Sequence, residues 1–68
     1  MGGTYKVIQI VGTSTESLTK AIESGVKEAS KTVRNMRWFE VVEQRGFIED
    51  GEAKEFQVKL NVGFKLDR

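Results

Sequence analysis

Glu55-Phe56-Gln57-Val58-Lys59-Leu60-Asn61-Val62-Gly63-Phe64-Lys65-Leu66 is the stretch on which the fold turns. Phe56, Val58, Leu60, Val62, Phe64 and Leu66 alternate without a miss against Glu55, Gln57, Lys59, Asn61, Gly63 and Lys65. Side chains of a strand point alternately to its two faces, so this pattern predicts a long strand with one apolar face for a core and one polar face to spare. Just upstream, Glu49-Asp50-Gly51-Glu52 reads as a turn, Asp-Gly being among the strongest hairpin signals. Residues 36–48 then form the other arm of the hairpin. A bulge or bend is expected at Arg45-Gly46, where glycine weakens the strand.

Further upstream, Leu18, Ala21, Ile22, Gly25, Val26, Ala29 and Val33 recur at helical spacing, with Lys20, Glu23, Lys27, Lys31 and Arg34 opposite. Glu16–Lys20 and Glu23–Lys27 are expected as i,i+4 pairs, and Lys31 and Arg34 as last-turn cations. Gly12 breaks the preceding pattern. Thr13 with Glu16 fits a capping box, with Ser14 as a rival cap, and Asn35 is expected at the helix C-terminus. Small residues at 21, 25 and 29 predict close approach of helix to sheet. Residues 5–11 read as a first strand, with Ile8 and Ile10 beside Lys6 on one face and Val7 and Val11 beside Tyr5 and Gln9 on the other. Apolar groups on both faces leave two readings open: cover from the helix and a neighbouring subunit, or a few exposed valines.

The order is therefore strand, helix, strand, strand. The expected class is α+β, a βαββ unit in which one three-stranded antiparallel sheet has the long third strand at its centre and partly wraps the helix. Its second face is bare. With 68 residues the chain is one domain, 1–68, with a marginal core. Small scaffolds recruit disulfides, metals or partners. Cys and His are both absent, which removes disulfides, thiolate and imidazole metal sites, and the commonest catalytic groups, so no Ser-His-Asp, Cys-His or histidine acid/base mechanism is expected. Oligomerisation is the one support left. Lys and Arg number 11 against 10 for Asp and Glu, a balance unlike the basic face of a nucleic-acid binder. No apolar run approaches a membrane helix, and Met1-Gly2 opens no signal peptide, so a soluble cytoplasmic protein without a membrane partner is expected.

The bare face holds the candidates. Trp38, the only tryptophan, is expected there with Glu40, Val42 and Gln44 from the second strand and Gln57, Lys59, Asn61 and Lys65 from the third. An exposed indole is a platform for a planar ring. A glutamine amide carries donors and an acceptor in one plane and can read a uracil-like edge. The competing reading buries Trp38 in a subunit interface with no ligand and leaves Gln57 an ordinary strand residue. Arg45, Lys59 and Lys65 are candidate phosphate contacts, or plain solvated charges. Glu40 and Glu43, three apart, are expected on opposite faces and so make no carboxylate pair. Hairpin counting places Trp38 opposite residues 62–64, too far from Gln57 to meet it within one chain. A site using both would draw them from different subunits. Two alternatives remain: a ligand-free homo-oligomer, and a single-stranded nucleic-acid module built on Trp38, Phe47, Lys59 and Lys65.

Ile10-Val11-Gly12-Thr13-Ser14, Trp38-Phe39-Glu40-Val41, Arg45-Gly46, Phe56-Gln57-Val58 and Val62-Gly63-Phe64-Lys65-Leu66, in this order and spacing, resemble the dodecins, small flavin-binding proteins, over nearly the whole length. The resemblance implies a homododecamer that stores and sequesters flavin (riboflavin, FMN or FAD) and quenches its excited state, without catalysis. Flavin pairs would be sandwiched between Trp38 and its symmetry mate, with Gln57 of a neighbouring chain on the pyrimidine edge and Val42 and Arg45 near the pocket. It also implies coenzyme A binding in some members, for which Arg45 and Lys65 are the candidates here. Arg37 stands where the family pattern has an acid, and Lys65 where arginine is frequent; lysine lacks the bidentate fork for phosphate.

Overall fold

The computed structural model describes residues 3–66; Met1-Gly2 and Asp67-Arg68 lie outside the described residues. Four elements follow one another: β1 (Tyr5–Ser14), α1 (Leu18–Ala29), β2 (Met36–Glu49) and β3 (Glu52–Lys65). The sheet order is β1-β3-β2, antiparallel throughout, so the alternating strand is the central one, as its pattern predicts. The hairpin turns on Asp50 and Gly51, both with positive φ (53° and 77°). That is the backbone of a two-residue hairpin turn whose twist matches the strands.

The helix starts later than the capping box suggested. Gly12 does not end β1: residues 12–14 stay paired with Val58, Gln57 and Phe56. Ser17 is the N-cap, its Oγ accepting from the Lys20 amide at 3.0 Å. Ser14 Oγ instead accepts from the Glu16 amide at 2.9 Å, bending the chain between strand and helix. With Glu16 outside the helix its pair with Lys20 is lost, and the exposed pairs are Lys20–Glu23 (3.8 Å) and Lys31–Glu28 (3.3 Å). Such pairs contribute little. Ser30 is the C-cap, so Lys31 and Arg34 lie beyond the last turn. Asn35 is not the cap; it takes a left-handed conformation (φ 63°) and its carbonyl accepts from the Lys65 amide at 3.0 Å.

Ala21, Val58, Leu60 and Val62 are the fully buried apolar residues, and Ile8, Ile10, Leu18, Ile22, Val26 and Met36 pack around them. The small helical residues act as expected. A Cβ on Gly12 would collide with the Ala21 carbonyl and lie 3.0 Å from the Gly25 Cα, so backbone meets backbone there. The helix packs on β1 and β3. A helix is about 10 Å wide and strands are spaced about 4.8 Å, so one helix covers two strands and β2 is left out. Phe39 and Val41, on the opposite side of β2 from Trp38, point to the helix side yet remain 48% and 44% exposed.

The expected irregularity at Arg45-Gly46 is absent. Both residues pair in register, with Gln57 and Phe56. The register shifts fall instead between Met36 and Trp38, between Val41 and Glu43, and between Phe47 and Ile48. The shift at Val42 decides which residues share a face. An extra residue inverts the facing of everything after it. Gln44 therefore pairs with buried Val58 on the helix side, while Glu43 pairs with Lys59 on the bare face. Glu40, opposite Asn61, and Glu43 thus share one face, contrary to the simple count.

Candidate functional site

The bare face reads in rows across β1, β3 and β2: Val7–Gly63–Trp38, Gln9–Asn61–Glu40, Val11–Lys59–Glu43 and Thr13–Gln57–Arg45. The first row is aromatic and apolar. Trp38 sits directly opposite Gly63, inside the window that hairpin counting gave. A Cβ built on Gly63 would overlap three adjacent atoms of the indole almost equally, so the ring lies face-on over the glycine. Only a residue without a side chain allows this. Tyr5 closes one side, its ring centroid 5.3 Å from the indole and tilted by 56°, a favourable aromatic geometry. One indole face rests on the sheet; the other is open, with Trp38 44% exposed.

The polar rows are knitted by side chains. Gln9 Nε2 donates to Asn61 Oδ1 at 3.0 Å, Lys59 and Glu43 form an ion pair at 3.3 Å, and Arg45 Nε donates to Gln57 Oε1 at 3.0 Å. Gln57 is half-buried between the outer strands. Six strand positions separate Gly63 from Gln57, about 20 Å at roughly 3.3 Å each. Trp38 and Gln57 therefore share a face and no site within one chain. Lys65 is exposed on the same face beyond Trp38, opposite Tyr5, and is farther still from Arg45. Val42 is the half-exposed bulge residue on the edge strand, between the two ends.

The notch touching Trp38, lined by Val26, Met36, Arg37, Phe39 and Val62, holds about 210 Å³, below the roughly 300 Å³ at which ligand pockets begin. A larger groove of about 410 Å³ between β1 and the end of α1 includes neither Trp38 nor Gln57. Gly63 and Tyr5 were not singled out by sequence. A signal existed for Gly63: it is the one break in the polar side of the central strand, at the position facing Trp38.

These features define a class: a βαββ protein with one helix on one side of its sheet and, on the other, a single tryptophan lying flat on an uncovered face. The family model described as Dodecin matches residues 4–67, and the chain belongs to the dodecin family. It is 49% identical to a dodecin of Thermus thermophilus over 98% of this chain and 97% of that protein. A structure of dodecin from Streptomyces davaonensis superposes with a TM-score of 0.96 at 48% identity, covering all of both chains. The calcium dodecin of Mycobacterium tuberculosis is also similar: 36% identical over 91% of this chain and 87% of that protein, with a structure at TM-score 0.82. Among the described residues here, no group of three or more His, Cys, Asp or Glu is placed to hold a metal. No helix is long and apolar enough to cross a membrane.

Proposed function

We propose that this chain, as one domain over 1–68, binds flavin without turning it over, and stores and sequesters it in a cytoplasmic homododecamer. The observation that carries this reading is the pose of Trp38, laid flat on Gly63 with its outer face open. A planar ring seated on that face is covered on its far side only if something comes from another copy. A second flavin and the symmetry-related Trp38 complete the stack. Gln57, too distant in the same chain, reaches the ring edge from a neighbour, with Val42 and Arg45 lining the approach. Lys65 supplies a point charge for a phosphate of FMN or coenzyme A.

Assembly is supported by the shape of the chain. Its radius of gyration is 14.0 Å and its extents are 52 × 20 × 13 Å, against about 11 Å for a compact domain of this length. Tyr5, Val7, Val11, Trp38, Phe39, Val41, Val42, Phe47 and Ile48 are all large and exposed. Apolar surface this extensive marks an interface. The light-excited flavin is the oxidant in the quenching step: it takes an electron from the Trp38 indole and returns it, with no net reaction. The chain's own part is to hold the indole in van der Waals contact, keep water off the stack and fix the ring edge through the Gln57 amide.

The test is titration of ligand-free protein with riboflavin and FMN, read by loss of flavin fluorescence, with the mass measured by light scattering. The expected mass is about twelve times the 7.7 kDa chain. Stacking on an aromatic side chain contributes about 1–3 kcal/mol, so Trp38→Ala should weaken binding about 5- to 150-fold. Equal affinity of the variant refutes the stack; a monomeric mass refutes the assembly.

A further inference from the structure

We infer that Tyr5 is a positioning residue for Trp38: its ring braces the indole from the side, across Gly63, and so holds it flat for a ligand. The inference rests on the flavin reading above. Tyr5 lies on β1 and Trp38 on β2, the outer strands of the sheet. Strands are spaced about 4.8 Å, so these two backbones run about 10 Å apart. Their ring centroids are nevertheless only 5.3 Å apart, with the planes tilted by 56°. Side chains of two outer strands meet over a central strand only where it leaves the way clear. On the bare face β3 presents Gln57, Lys59, Asn61, Gly63 and Lys65 in turn, and Gly63 is the one gap. Val7 stands directly opposite that gap. Tyr5, two residues earlier and so on the same face, carries a ring across it.

The indole needs a brace because its strand is irregular there. Met36 pairs with Phe64 and Trp38 with Gly63, so Arg37 is the extra residue of a bulge. Without the bulge, residues 36 and 38 would share a face. With it, Met36 packs against the core while Trp38 stands on the bare face. A bulge also interrupts the ladder locally, so backbone pairing alone does not fix the plane of the indole. Gly63 supports the ring from below and Tyr5 bounds it from the side.

Tyr5 acts through Trp38 and not on the ligand. A tilted aromatic pair shifts an equilibrium by about 2- to 12-fold. A ligand that binds only the flat ring loses affinity in proportion to the fraction of protein that holds the ring flat. Removing the Tyr5 ring therefore weakens flavin by up to that factor.

The experiment uses ligand-free assembled protein, with riboflavin as the probe. Tyr5→Val and Tyr5→Leu remove the ring and keep an apolar residue; Tyr5→Phe keeps the ring. Each variant is first compared with wild type in mass and far-ultraviolet circular dichroism. The emission of Trp38, the sole tryptophan, is then read without ligand. In Tyr5→Val and Tyr5→Leu it should move to the red and lose anisotropy, because the indole has lost a neighbour and gained freedom. Riboflavin affinity should fall about 2- to 12-fold in both. Tyr5→Phe should match wild type in emission and affinity. In a Trp38→Ala background, Tyr5→Val should weaken riboflavin no further, since nothing is left to position.

Unchanged emission and anisotropy in both ringless variants overturns the brace. Wild-type riboflavin affinity in both overturns its role in binding while the flavin reading stands. A loss that persists in the Trp38→Ala background makes Tyr5 a direct ligand contact and overturns the inference. A loss that Tyr5→Phe fails to restore assigns the effect to the hydroxyl and overturns it too. So does failure of both ringless variants to assemble, which would make Tyr5 a residue of the fold. If wild type itself binds no riboflavin, the flavin reading falls and the positioning role with it.

Discussion

Gly63→Ala is the sharpest probe of the site, because it alters the bed under Trp38 without touching any group proposed to contact the ligand. Gly63 has ordinary strand φ, since Gly51 is the only described glycine with positive φ. Alanine is therefore allowed there by the backbone, and in a strand it is favoured over glycine by about 0.5–1 kcal/mol. The new methyl, however, occupies space held by the indole ring. Trp38 must lift off the sheet. With 44% of the residue exposed, somewhat over half of a surface of about 250 Å² is now covered. Complete loss of that cover would cost about 3.5 kcal/mol at about 25 cal/mol per Å². A re-tilted ring keeps part of it, so a cost of about 1–2 kcal/mol is realistic, and the gain from alanine offsets much of this. The variant should fold with a stability within about 1 kcal/mol of wild type. Flavin stacking depends on the plane of the ring, so affinity should fall about tenfold or more. The assays are urea unfolding, flavin titration, and the emission of Trp38, which as the sole tryptophan reports its own exposure. A variant with wild-type affinity and an unshifted emission maximum would refute the face-on seat as the basis of binding.

Two further substitutions probe the fold that presents the site. Gly12→Ala drives a methyl into the Ala21 carbonyl and the Gly25 backbone, neither of which can rotate away, so the helix must move off β1; a loss of about 3 kcal/mol or more in urea unfolding is expected, at the upper end for overpacking. Ser17→Ala removes the oxygen that accepts the Lys20 amide and should cost about 1 kcal/mol, whereas Thr13→Ala, at the cap position suggested by sequence, should be nearly neutral in the same measurement.

The strand content and its arrangement were legible because they depend on local rules. Residues 56–66 alternate with a period of two, Asp50-Gly51 can take the positive φ values the hairpin needs, and the small residues of the helix face anticipated the meeting of Gly12 and Gly25. The window for Trp38 also followed from counting along a hairpin, since register propagates from the turn. Tertiary structure alone decided three things. The bulge at Val42 moved Glu43 and Arg45 onto the bare face and took Gln44 off it; no composition signal marks a bulge, and one extra residue reverses every later assignment. The helix covered two strands and not three, a matter of widths rather than hydrophobicity, which left Phe39 and Val41 exposed. The bond from Arg45 to Gln57 depended on that corrected facing, because only a direct cross-strand pair brings the guanidinium within 3.0 Å of the amide. Sequence by itself determined which residues are the candidates for the chemistry. Which of them stand side by side was set by one bulge and by the reach of one helix, both of which arise only when the strands and helix pack together.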